Sequence, residues 1–178
     1  MEFELKKLSS EAVPAALERA ERYRLLNEPL QAESICLDIL TLEPGNQQAL
    51  VGLLLALSEQ FGENITEKLD RAWSILPKLS DAYQQAYYQG IIWERLGNAR
   101  IRRGGTGAGA SAYHPLREAM DHYEKAMNFA IPGNDDAILR WNTCARVIMQ
   151  NPDIRPDPEN EPAQAWEHDE AGSRIADA

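Results

Sequence analysis

Cysteine and histidine are scarce in this chain of 178 residues, at two and three respectively. Cys36 and Cys144 alone give no disulfide framework and no metal-ligand spacing. Each falls in an apolar helical stripe, where a free thiol acts as a small buried hydrophobe. Long hydrophobic runs are missing as well. The longest, Ala49 to Leu57, spans nine residues with Gly52 inside it, whereas a bilayer-crossing helix needs about 20. The N-terminal MEFELKKLSS has neither an apolar run nor cleavage-type small residues, so it does not read as a signal peptide. A soluble, cytoplasmic protein with no membrane partner is the expectation. Positive charge is short too: 18 lysines and arginines stand against 28 aspartates and glutamates, for a net charge of −10. Binding nucleic acid calls for a basic face, and no nucleic-acid partner is expected.

Apolar residues are 44% of the chain and charged residues 26%, a balance that lets one domain bury a core. The apolar positions recur at three- and four-residue steps, the helical period, in seven segments. Ser9 or Ser10 is expected to cap the first, whose face is Ala12, Ala16, Leu17, Ala20, Tyr23 and Leu26. Pro29 opens the second, which carries Ala32, Ile35, Cys36, Ile39 and Leu40 and ends at Pro44-Gly45-Asn46. Asn46 caps a third, apolar nearly all round to about Phe61, which calls for neighbours on several sides. Asn64 with Glu67 makes a capping-box variant for a fourth helix, expected to stop at Pro77.

Ser80 or Asp81 opens a fifth helix to about Arg103, Asp81 with Gln84 being another capping-box variant; its buried stripe is Tyr83, Ala86, Gly90, Trp93 and Gly97. Gly104 to Ser111 is expected as a flexible connector, so the sixth helix would begin near His114-Pro115. Pro132-Gly133-Asn134 closes it. Two aspartates then lead a seventh helix with Ala137, Ile138, Trp141, Cys144, Ala145 and Ile148 inward. From Asn151, four prolines in eleven residues and a charge of −6 over 151–178 read as a disordered acidic tail. The expected division is a helical domain over 1–150 and a tail over 151–178.

Pro44 and Pro77 end two helices 33 residues apart, close to the roughly 34-residue period of a helix-turn-helix repeat. In the first unit Tyr23, Ala32 and Pro44 fall on aromatic, small and proline positions. In the third, Gly90, Trp93 and Gly97 are followed by Ala119, Tyr123 and Ala126; in the second only Leu53, Ala72 and Pro77 fit. Over residues 12–150 this pattern resembles the tetratricopeptide repeat (TPR) family. The resemblance implies an all-α fold: a short right-handed superhelix of three helical hairpins plus a C-terminal capping helix. It also implies a concave face built from the first helix of each pair. Family members that grip C-terminal carboxylates place basic residues and asparagine there. The corresponding positions here, Leu17, Glu21, Val51, Gln84 and Tyr88, lack that pattern.

Reactive constellations are few. Gly104 and Gly109 have phosphate-loop separation, but Ala110 replaces the lysine and no strand precedes. Arg95, Arg100, Arg102, Arg103 and Arg117 gather around the glycine stretch, either as an anion-binding rim or as a solvated helix end. His114, Glu118 and His122 share a helical stripe without a fourth ligand and read as surface residues. The expectation is thus a non-catalytic scaffold, without cofactor or metal, binding a protein or peptide through Glu21, Arg24, Gln47, Gln84, Tyr87, Arg95, Asn142 and Arg146. The alternative is a homodimer formed through exposed apolar surfaces of the third or seventh helix.

Overall fold

The computed structural model describes residues 3–62 and 65–156. Among them the chain is all-helical: seven α-helices and two 3₁₀ turns. Asn64, on which the expected capping box with Glu67 rests, and the acidic stretch from residue 157 lie outside the described residues.

Helix α1 (Val13–Leu25) is entered through a 3₁₀ turn, Ser10–Ala12, rather than through a serine cap; Ser9 makes no side-chain capping bond. Pro14 in the first turn lacks an N–H, so fewer free donors are left for a cap to satisfy. Leu26 is 64% exposed, outside the core face expected for it. Asn27 turns the chain with φ of 60°, a conformation asparagine tolerates better than most residues. Helix α2 (Pro29–Leu42) follows, then α3 (Gln47–Glu59), where the Asn46 side chain accepts the Ala49 N–H at 2.9 Å.

Helix α4 (Ile65–Trp73) stops four residues before Pro77, which sits instead in a 3₁₀ turn, Leu76–Lys78. Ile75, Leu76 and Leu79 of this tight segment are buried, and its backbone bonds tighten to the i→i+3 pattern, with Lys78 N–H on the Ile75 carbonyl at 2.9 Å. Helix α5 (Ala82–Arg103) starts where expected: Asp81 accepts the Gln84 N–H at 2.7 Å. It ends at Gly104, whose φ of 66° suits glycine.

The largest departure is at α6 (Ala108–Met127), which begins six residues before the expected start and takes half of the supposed connector into the helix. Pro115 therefore stands inside it. A proline there leaves the carbonyl four residues earlier without its helical donor. That carbonyl, on Ser111, accepts the Arg100 guanidinium of α5 at 2.6 Å instead. Helix α7 (Asp136–Gln150) completes the set. Ile138 on it is 43% exposed, against the inward position expected.

Successive helices pack on one another, and α1, α3 and α5 also touch in series. Helix α3 has neighbours in α1, α2, α4 and α5, as its nearly all-round apolar surface requires. One core lies among α1 to α5, including Ala32, Cys36, Leu54, Leu57 and Ile92. A second joins α5, α6 and α7 through Ile91, Leu116, Tyr123 and Cys144. Trp93 and Tyr88 border both. The second core also holds Ile154, 5% exposed, which packs on the helices although it lies past residue 150. A lone isoleucine between prolines has no period to announce it.

Candidate functional site

A groove of about 860 Å³ runs across α1, α3 and α5. Helix α1 lines it with Leu17, Glu18, Glu21 and Arg24; α3 with Gln47, Val51 and Leu55; α5 with Gln84 and Tyr88. Four of the eight expected binding residues, Glu21, Arg24, Gln47 and Gln84, therefore share one surface. Two of them are also engaged internally. Gln47 accepts the Ser80 N–H at 2.9 Å and donates to the Lys78 carbonyl at 3.3 Å, fastening α3 to the entry of α5. Arg24 forks onto Glu59, with Nη2 2.6 Å from Oε1.

The other four sit elsewhere. Tyr87 stacks on Tyr83 with ring centroids 5.5 Å apart and leans on Tyr123, so it belongs to the α5–α6–α7 packing. Tyr88, one position on, takes the place expected for it. Spacing alone does not choose between them, since positions three and four after Gln84 both lie on its face. Arg95 donates to the Leu55 carbonyl and the Ser58 hydroxyl, both at 2.7 Å, and to Glu59 at 3.2 Å. Burial pulls its guanidinium below the ordinary value, and Glu59 only partly offsets this. It is a brace between α3 and α5 rather than a free contact. Asn142 and Arg146 lie on α7, which contributes nothing to the groove wall.

Three carboxylates that the sequence pattern does not single out hold helices together. Glu59 receives both Arg24 and Arg95. Glu94 is 5% exposed and accepts the Tyr123 hydroxyl at 2.6 Å and Arg140 at 3.1 Å. Burial followed by this carboxylate pushes the Tyr123 phenol far above its usual range. Burial works against charge on Arg140, but Glu94 more than compensates and raises it. Glu33 accepts from Gln60 at 2.7 Å and pairs with Lys68 at 2.9 Å and Arg71 at 2.6 Å.

The arginines near the glycine stretch do not converge into a rim. Arg95 points to α3, Arg100 to Ser111, Arg102 to the Phe61 carbonyl at 3.4 Å, and Arg117 to Asp121 at 3.6 Å. A second hollow of about 580 Å³ lies between Gly105–Ala110 and Asn151–Pro156. There Gly109 lies directly beneath the Asp153 carbonyl, leaving no room for a Cβ.

The Nε2 atoms of His114 and His122 lie 3.7 and 4.0 Å from the Glu118 carboxylate. Among the described residues no group of three or more histidines, cysteines or acids is placed to hold a metal. His122 is not the surface residue expected; at 8% exposed it is buried, and desolvation lowers its pKa below 6.5. Both cysteines are buried and free, and burial pushes the thiols of Cys36 up to about 11 and Cys144 to about 12. Thiolates, the reactive form, are thereby suppressed. No described helix is long and apolar enough to cross a membrane. The chain matches no protein-family model, no curated protein sequence and no solved structure, and the groove across α1, α3 and α5 is read from its own residues alone.

Proposed function

We propose that the protein is a non-catalytic interaction scaffold: a short TPR-like right-handed solenoid that holds a peptide or partner protein in the groove across α1, α3 and α5. The observation that carries this reading is the groove itself, lined in series by the first helix of each successive pair. The small residues at helix contacts agree with it. Ala32, Gly90, Gly97 and Ala119 are buried where helices approach closely, as stacked hairpins require. Mixed apolar and polar lining suits an extended segment or an amphipathic helix. Affinity capture from a native lysate with the wild-type chain and with Val51→Trp, which fills the groove floor, tests the proposal. Partners lost with the tryptophan variant support it; a capture profile identical for both chains overturns it.

A second reading has its own observation. On α7, Ile138, Leu139 and Met149 are exposed, and Phe129 and Ile131 are exposed in the preceding turn. A helix expected to close the stack with a polar face thus leaves apolar surface in water, which suits self-association. Light scattering across a concentration series, with Leu139→Glu as comparison, separates a dimer from a monomer.

A further inference from the structure

The charges along the groove are uneven. Glu18, Glu21 and Glu43 line it and are exposed. Among the described residues none of the three lies in an ion pair; Glu43 accepts only the Asn46 amide, at 2.7 Å. Arg24 is the one cation of the described lining, and its guanidinium is forked onto Glu59. The side-chain amides of Gln48 and Gln84 add polarity without charge. Between these groups Leu17, Val51, Leu55 and Tyr88 supply apolar surface, each half-buried. The wall therefore presents unneutralised negative charge beside hydrophobic hollows.

We propose that the occupant is a positively charged, partly apolar segment of a partner protein. Its lysines or arginines would lie against Glu18, Glu21 and Glu43, and its apolar side chains against Leu17, Val51 and Tyr88. This rests on the groove being the binding face. Charge selects among occupants, because like charges brought together oppose binding and opposite charges steer it. A second copy is disfavoured by a net charge of −10, and the chain's own 151–178 stretch by its −6. A partner's acidic C-terminus is disfavoured in the same way. That is the reverse of the carboxylate-gripping arrangement, whose basic positions are filled here by Leu17, Glu21, Val51, Gln84 and Tyr88.

The test uses the full chain and two short fluorescein-labelled peptides, one of lysine, leucine and serine, the other with every lysine replaced by glutamate, read by fluorescence anisotropy. Glu18→Gln/Glu21→Gln removes two groove charges. Glu28→Gln/Asp70→Asn removes two exposed charges outside the groove lining. All four positions are exposed, so circular dichroism should be unchanged. The expected result is binding of the lysine peptide only, weakened about fivefold by the groove pair and hardly at all by the outer pair. Equal losses from both pairs would mean unspecific attraction to an acidic protein and would overturn the inference. So would tighter binding of the glutamate peptide, or binding of neither. Val51→Trp separates the two levels. If it abolishes binding of the glutamate peptide, the groove stands and the basic partner falls. If lysine-peptide binding ignores it, the groove falls too.

Discussion

Gly90 of α5 lies against the ring of Tyr123 of α6 so closely that a Cβ on the glycine would meet Tyr123 Cε1 at 2.5 Å. The tyrosine has nowhere to go: it is fully buried, and its hydroxyl is held by Glu94 at 2.6 Å. Gly97 repeats the arrangement two turns on, under Leu116. Alanine at position 90 gains about 1 kcal/mol of helix propensity but overpacks a rigid contact. A net loss of about 1–3 kcal/mol is expected for Gly90→Ala, measured by urea unfolding. In a Tyr123→Ala background the same substitution should become neutral or stabilising. A loss of equal size in both backgrounds would show that the ring is not what the glycine accommodates.

The brace at Arg95 makes a second prediction and revises an expectation. An arginine on a helix of mixed polarity reads as a partner contact, yet its donors are spent on Leu55, Ser58 and Glu59. Arg95→Ala should therefore lower stability by about 2 kcal/mol, the scale of lost hydrogen bonds to a charged group. Arg95→Lys should recover only part, because one ammonium cannot reproduce the fork. Thermal unfolding of both variants without any partner is the measurement. A melting point untouched by alanine would return Arg95 to the surface.

The contrast between what was legible and what was not follows from locality. Asn46 and Asp81 announce their helices because a cap acts within three residues. The helical spacing that placed Glu21 and Gln84 on one face is equally local. The start of α6 is not: Ala108, Gly109 and Ala110 carry at most a methyl group and show no period, and Pro115 argues against a helix until Arg100 supplies the donor for Ser111. Glu33, Glu59 and Glu94 look like solvated charges until distant helices bring their partners. Those partners are 27 to 46 residues away in sequence for Gln60 and Arg140. Periodicity reports which face a residue occupies, and says little about which charge meets it there.

Ile154 gives the third prediction. It is 5% exposed among α5, α6 and α7 residues, four residues past the end of α7. Ile154→Ala should cost about 2–4 kcal/mol, as for other buried aliphatic truncations. Arg155→Ala, at an exposed neighbour, should change stability by less than about 0.5 kcal/mol. Urea unfolding of the full-length variants decides. If both substitutions are silent, residues 151–156 do not belong to the folded unit.

Glu33 gives the fourth, through pH. Burial alone would push its carboxyl up, but donation from Gln60, Lys68 and Arg71 prevails and holds it below the ordinary value of 4.5. The unfolded chain therefore takes up the proton first as pH falls. The stability that ionised Glu33 contributes is complete above pH 4.5, and it declines as pH drops below that value towards the lower folded pKa. Glu33→Gln should be destabilised relative to wild type at pH 7, where the amide leaves Lys68 and Arg71 without their anion. The gap should then narrow through the window below pH 4.5, giving the variant the shallower acid limb. Urea midpoints measured in steps from pH 7 downward test this. A gap of constant size across the whole range would mean that Glu33 contributes by shape and not by charge.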